Sequence, residues 1–457
     1  MADTRVTKVY GSSGNRRTYT LSAWVKRSGL GSNQDVISAY RSTDGLQTDV
    51  MRFQSDDKFQ FYMHTTSGGT NAQLTTIRKL RDTNAWYHIV TRVDTTQSTA
   101  SDRVRIYING VLQDAFSTET YPDQNEQSIW GLGDSNVTHT IGAVGSSNYL
   151  DGYLSHVHYA DGQSLAPTVF GETDSTTGEW RIITNPSFTL GTNGFTILKD
   201  GNTVTDQSSN SNDFSVASGT LTKSEDNPSN VFCVLNVLNG ARPTGGIEGV
   251  LKYGNTEFRD GENGSNYSYV AGTMGANSGK FYWETKVTDL AEIDQVGVAL
   301  ASSSFVGAAN THGLQATNYG GKGCQFSNGY KVGDGSGGAY MGGFSVNDIM
   351  MVALDLDNNK ITFGRNGQWS NGSGGADQTY ANSTAAYTNL TAGEYYVPAQ
   401  AKRASGANYG TNNYNFGNGY FGLTAVASAG TNASNNGIFE YDVPTGFTAL
   451  STKGLNL

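Results

Sequence analysis

The residue types that could do chemistry are present, but few stand at a working spacing. His156 and His158 are two apart in Leu154-Ser-His-Val-His-Tyr159, so a strand there turns both rings to one side. With His139 they make a candidate metal site, yet no further ligand can be placed for zinc. A polar sheet face or hydrogen-bonded core positions are the expectation. Glu292 and Asp294 also stand two apart, and retaining glycoside cleavage needs two carboxylates about 5 Å from each other; both are expected on a surface loop. Asp355-Leu-Asp-Asn-Asn-Lys360 begins like a calcium loop, but Lys360 stands where the loop needs Gly and Asn366 where it needs Glu. A hairpin turn is expected instead. Cys233 and Cys324 are far apart, with no Cys-x-x-Cys and no Gly-x-Ser-x-Gly in the chain, so both are expected as buried free thiols. No catalytic group, resident metal or cofactor is assigned.

Aromatic residues make the better case, because a ring covers the apolar face of a sugar while Asn, Asp and backbone groups take its hydroxyls. In Tyr19-Thr-Leu-Ser-Ala-Trp-Val-Lys26, Trp24 shares a face with Thr20, Ser22 and Lys26, opposite Tyr19 and Leu21. Tyr107 has the same relation to Ile106 and Ile108. Trp24 and Tyr107 are therefore candidate glycan platforms, against the alternative that a loop covers each ring.

These residues sit on alternating apolar and polar runs, the signature of half-buried strands. Arg103-Val-Arg-Ile-Tyr-Ile-Asn-Gly-Val-Leu-Gln113 and Lys360-Ile-Thr-Phe-Gly-Arg-Asn-Gly-Gln-Trp369 follow one plan: strand, Asn-Gly, strand. Asn-Gly suits a type I′ hairpin, whose two central residues need positive φ. One such hairpin in each half predicts two antiparallel β domains. Further strands are expected at 19–26, 58–63, 86–93, 140–144 and 149–159, then at 280–287, 295–300, 348–355 and 360–363. Residues 409–437 are expected as loops around an edge, and no helix longer than a turn or two is expected.

Composition bounds the partners. Among 457 residues, 36% are hydrophobic and 15% charged, with 58 Gly and 25 Tyr, which fits short strands and tight turns. A net charge of −10 with no basic block argues against nucleic acid. No run of about 18 apolar residues predicts a membrane span. The start, Met1-Ala-Asp-Thr-Arg-Val, lacks an apolar stretch, so no signal peptide is expected and folding is placed in a cytoplasm. Asn-x-Ser/Thr triplets at Asn263, Asn266, Asn371 and Asn432 are then chance occurrences rather than glycan sites.

The first part resembles the laminin-G-like, concanavalin-A-like lectin family through Thr20-Leu-Ser-Ala-Trp-Val-Lys26, Trp86-Tyr-His-Ile-Val90, Ile106-Tyr-Ile-Asn-Gly110 and Leu150-Asp-Gly-Tyr-Leu-Ser-His-Val157. Some relatives bind calcium through loop Asp residues, which makes Asp44, Asp49 and Asp134 candidates here. Glucanases share that fold and carry Glu-x-Asp-x-x-Glu. The nearest string, Glu292-Ile-Asp-Gln-Val-Gly297, ends in Gly and lies outside that part of the chain. The second part resembles a SPRY domain through Gly279-Lys-Phe-Tyr-Trp-Glu284, Val296-Gly-Val-Ala299, Val352-Ala-Leu-Asp-Leu-Asp357 and Ile361-Thr-Phe-Gly-Arg-Asn-Gly367, followed by Tyr396-Val-Pro-Ala399 and Asn415-Phe-Gly417. That resemblance implies peptide or protein binding by end loops carrying Tyr319, Tyr330, Tyr340, Phe344, Tyr409 and Phe421, whose Tyr, Gly, Ser and Asn suit adaptable contacts.

The whole arrangement, closing in Tyr441-Asp-Val-Pro-Thr-Gly-Phe447, resembles structural proteins of tailed bacteriophages, especially those of marine bacteria. The expectation is an all-β protein of two antiparallel sandwiches: a concanavalin-A-like jelly roll (1–172), an irregular β-containing connector (173–240), and a SPRY-like sandwich with a C-terminal tail (241–457). The resemblance implies a non-enzymatic virion appendage, such as a tail fibre, receptor-binding protein or capsid-associated fibre. Its partners would be other virion proteins and host cell-surface polysaccharide, engaged as a homo-oligomer such as a trimer. A polysaccharide depolymerase and a purely structural capsid decoration are the alternatives.

Overall fold

Alternating apolar residues dictate paired sheets, and the computed structural model bears this out. It describes residues 3–43, 48–65, 71–199, 201, 203–241, 249–261, 267–303, 313–315, 319–333, 337–403 and 409–456. The chain divides into two compact units, 1–223 and 224–457. All-β architecture holds in both: among the described residues the α-helix is the single turn Ala100–Arg103.

In the first unit, eight strands form one antiparallel sheet in the order Phe116–Thr120, Ala72–Lys79, Lys58–Met63, Thr48–Phe53, Gln34–Arg41, Val137–Ile141, Arg5–Lys8 and Ser215–Ser218. The facing sheet has six, in the order Phe195–Ile197, Gly152–Asp161, Thr18–Arg27, Trp86–Asp94, Val104–Ile108 and Val111–Leu112. Because successive side chains point to opposite faces, Tyr19, Leu21, Ala23 and Val25 go into the core with Met51, Phe53, Phe59, Phe61 and Leu74. Their alternates, Thr20, Ser22, Trp24 and Lys26 on one sheet and Val50, Arg52, Gln60 and Tyr62 on the other, face away from it.

In the second unit, one sheet runs Leu235–Ala241, Ser268–Gly272, Tyr396–Arg403, Ile293–Leu300, Lys322–Gln325, Tyr330–Val332 and Gly338–Ala339. The other runs Val250–Lys252, Glu257–Arg259, Tyr409–Asn415, Lys280–Ala291, Ile349–Asp355, Lys360–Arg365, Gln368–Ser370 and Ala376–Gln378. Thr448–Ala449 adds to Lys280–Ala291 in parallel. A core of Phe258, Trp283, Val296, Val352 and Phe363 lies between the sheets.

Both Asn-Gly pairs turn as the sequence predicts. Asn109 and Gly110 have φ of 49° and 77°, and Asn366 and Gly367 of 51° and 86°. Each Asn also clamps a neighbouring strand. Asn109 Oδ1 accepts from His88 N at 2.8 Å and Asn109 N donates to His88 O at 2.8 Å. Asn366 does the same with Ile349, at 2.8 and 2.9 Å. Leu356–Asn359 is likewise a hairpin turn, since Asp355 pairs with Lys360 across the ladder.

Three expectations are corrected. Tyr409–Asn415 is a strand inside its sheet, not a loop, paired with Glu257–Arg259 and Lys280–Ala291. The side-chain nitrogens of its buried Asn412 and Asn415 donate to the buried Asp294 and Glu284, so polarity does not force it out. Asp294 is likewise on a strand and fully buried, whereas Glu292 stays near the surface against Arg403. Segment 173–240 is divided between the units: Phe195–Ile197 pairs with Gly152–Asp161 and Ser215–Ser218 with Arg5–Lys8, while Leu235–Ala241 pairs with Ser268–Gly272 in the second unit.

Candidate functional site

The outer faces of the two sheets in the first unit differ in what lies over them. On the six-stranded sheet, Trp24 pairs opposite His88 and stacks on it at 4.7 Å and 14°. His88 in turn lies beside Trp180 at 5.9 Å and 15°. Trp180 Nε1 donates to His88 Nδ1 at 3.0 Å, so the ring proton sits on Nε2, toward Ser22 Oγ at 2.9 Å. Burial pushes the His88 imidazole down to about 3, which keeps it neutral. The Trp180 ring fits between two glycines: a Cβ on Gly110 would come within 2.5 Å of it, and one on Gly171 within 2.6 Å. Gly110 thus serves both the hairpin turn and this slot. Phe170 and Phe188 cover the same face over His158, and Gln163 O accepts from Thr20 Oγ1 at 2.7 Å.

Trp24 is therefore only 3% exposed and offers no open face. That corrects the expectation of a platform: the returning chain roofs the ring. Tyr107 is half-buried near the margin of the same face.

The eight-stranded sheet carries an open groove of about 590 Å³, lined by Tyr40, Val50, Arg52, Gln60, Tyr62 and Gln73, with Val144–Ser147 as its wall. Strand register builds the floor: Val50 lies opposite Tyr62, Arg52 opposite Gln60, and Tyr62 opposite Gln73. The side chains are held in place. Asn71 Nδ2 donates to Tyr62 OH at 2.9 Å, and Gln60 Nε2 to Thr75 Oγ1 at 3.1 Å. Arg52 Nε donates to Asp35 Oδ1 at 2.7 Å; burial pushes the Asp35 carboxyl up, partly offset by that guanidinium. In the wall, Val144 and Ser147 exchange backbone bonds of 3.1 and 3.0 Å, Ser38 Oγ holds Ala143 O at 2.7 Å, and Arg5 reaches the Gly145 carbonyl.

This set of rings, amides and a guanidinium offers flat apolar faces beside fixed donors and acceptors, the make-up of a polar ligand site. Among the described residues lining the groove there is no carboxylate, so a paired-carboxylate mechanism has no material there. Sequence reading missed these residues. The signal was present in Lys58-Phe-Gln-Phe-Tyr-Met63, where Gln60 and Tyr62 alternate with core residues, but the register that gathers them with Tyr40 and Gln73 is not local.

The remaining candidates scatter. Asp49 is buried, accepting from His64 N at 2.7 Å, from Trp130 N at 2.9 Å and from Ser128 Oγ, while burial raises its carboxyl to about 6. Asp134 pairs with Arg41 at 3.1 Å. Asp44, Asn263 and Asn266 lie outside the described residues. His139 sits in the opposite sheet to His156 and His158 and accepts from Gly131 N at 2.9 Å. Cys233 and Cys324 are buried free thiols. In the second unit Tyr319, Tyr340, Phe344 and Phe421 are buried, which corrects their expected place on binding loops. Tyr340 OH donates to Thr384 O at 2.6 Å, and Phe344 packs on Phe326 at 4.7 Å. Only Tyr330 (43% exposed) and the half-buried Tyr409, with Arg259 over its ring, reach solvent among the six.

Comparison with known proteins covers most of the first unit. Residues 4–170 match the concanavalin A-like lectin/glucanases superfamily, laminin G type. The groove lies wholly within that match, whereas Trp180 and Phe188, which cover the other face, lie beyond it. Solved structures similar to the chain include the SPRY domain of human HERC1, at 16% identity over 38% of this chain and 95% of that one with a TM-score of 0.29, and a human SPRY domain, at 10% over 37% and 96% with 0.27. No curated protein matches it.

Proposed function

We propose that this is a non-enzymatic binding protein, and that its first unit takes host surface glycan into the groove over Tyr40 and Tyr62. The observation that carries the reading is the lining itself. Two tyrosine rings lie with Arg52, Gln60 and Gln73 around about 590 Å³ of open space, with no carboxylate among the described lining residues. Sugars are taken by such mixtures of ring and amide. The concanavalin A-like match over 4–170 supports a lectin-type role. The resemblance of the full arrangement to tailed-phage structural proteins supports placing it on a virion, as a tail or capsid fibre in several copies. Weak contacts would then add up through copy number.

The test is adsorption of labelled full-length protein to candidate host bacteria before and after periodate, which cleaves vicinal diols. Adsorption should fall on periodate treatment, and Tyr62→Ala should weaken it roughly tenfold, the order expected for one lost aromatic contact. Periodate-resistant adsorption, or full adsorption by Tyr62→Ala and Tyr40→Ala, would remove the groove from the account. Binding with release of new reducing ends would favour a depolymerase. Absence of the chain from purified particles would remove the virion placement.

A further inference from the structure

The second unit holds a lysine and an aspartate in a setting that the binding reading does not use. Asp294 and Lys402 lie directly opposite each other on adjacent antiparallel strands, Ile293–Leu300 and Tyr396–Arg403. Both side chains are 0% exposed, and Lys402 Nζ is 2.9 Å from Asp294 Oδ2. Among the described residues Nζ nevertheless makes no well-directed hydrogen bond, the contact with Asp294 being an ion pair only. A buried ammonium has three protons to satisfy, and leaving them unmet is costly. The carboxyl group is fully engaged by contrast. Its Oδ1 accepts from Gln400 Nε2 at 2.6 Å and its Oδ2 from Asn412 Nδ2 at 2.8 Å. Gln400 is itself fixed by Tyr414 OH at 2.6 Å.

We propose that Lys402 and Asp294 condense into an intramolecular isopeptide bond once the unit has folded. One proton passes from the ammonium to the carboxylate, giving a neutral amine beside a carboxylic acid. Nζ then attacks Asp294 Cγ. The Gln400 and Asn412 amides, already aimed at the two carboxyl oxygens, stabilise the negative charge of the tetrahedral intermediate. The Cγ–OH bond breaks, the second amine proton joins the departing hydroxide, and one water leaves. The products are a neutral amide and water, with no oxidant or co-reactant. Packing supplies the reactivity: two groups held in contact on paired strands react as if at very high concentration. The amide also removes the cost of holding two buried charges. Ser268, on the other neighbouring strand opposite Lys402, donates to Asp260 Oδ1 at 2.5 Å, which places a second buried carboxyl group at this end of the core. The bond would tie two strands covalently, a useful property in a chain exposed on a particle surface.

Denaturing mass spectrometry of the purified full chain tests this. The expected mass is the sequence mass less one water, and tryptic mapping should give one branched peptide joining Asp294 to Lys402, with no cleavage after Lys402. Lys402→Arg should restore the full sequence mass. Linear peptides through both residues overturn the proposal, with or without a mass deficit, because a cyclised aspartate elsewhere also loses water. The mapping uses the unmodified sequence, so it decides even if the variant does not fold.

Discussion

The two outer faces of the first unit carry similar side chains but differ in what lies over them. One presents Trp24, His88, Thr20 and Ser22, the other Tyr40, Tyr62, Arg52 and Gln60. Each set is the polar alternate of a strand whose other residues fill the same core. What separates them is the chain that comes later. Residues around Phe170, Trp180 and Phe188 roof the first face, whereas Val144–Ser147 only walls the second. An aromatic on an outward strand position is thus a buried layer or part of an open surface according to its covering, which alternation alone does not specify.

The largest test of that contrast is Trp24→Ala. Truncating a buried tryptophan costs about 3–5 kcal/mol, so the urea midpoint of the first unit should fall sharply. Glycan adsorption by the folded fraction should be unchanged, because the groove lies on the other sheet. A stable Trp24→Ala protein that no longer adsorbs would reverse the assignment of the two faces.

Acid is the next lever. Burial lowers His88 and His139 to about 3 and His158 well below 6.5. The unfolded chain binds protons there that the native state refuses. Stability must therefore rise with pH from about 3 to 6.5, by up to about 1.4 kcal/mol per pH unit for each histidine. Asp49, raised from 3.8 to about 6, opposes this in part, since the native state holds its proton longer. Asp35 and Asp151, which burial also raises but less far, add to that opposition, and the three histidines still leave the sign positive for the first unit. Urea midpoints at about pH 7 and pH 5 should show the loss on acidification. Equal midpoints would mean that the roof opens and lets His88 take up a proton in the folded protein.

The sequence discloses the fold better than the site, for a physical reason. Strand alternation and the two Asn-Gly turns are local, so Thr18–Arg27, Trp86–Asp94 and both hairpins are readable directly. Tyr409–Asn415 is not, because its buried residues include Asn412 and Asn415. Their amides are met only by Asp294 and Glu284 from distant strands. A buried polar network looks like a loop until its partners are known. The groove was hidden similarly, since Tyr40, Tyr62 and Gln73 come together only through strand register. The roof over Trp24 comes from a segment with little regular structure, where hydrophobic periodicity has nothing to mark.

Tyr107→Ala is the smallest and sharpest comparison. Tyr107 lies opposite Val90 and Leu112 and is half-buried, at the margin of the roofed face. It shares the alternation that made Trp24 a candidate but is not buried as Trp24 is. If roofing decides function, its removal should cost only about 0.5 kcal/mol, the scale of a surface substitution, and leave adsorption within error of the parent. Tyr62→Ala, equally half-buried but in the groove, should leave stability similarly little changed while adsorption drops. Exposure is then matched between the two variants and only the face differs. Equal losses of adsorption from both would mean that the margin of the roofed face also touches glycan, and the site would have to extend around the edge of the sandwich.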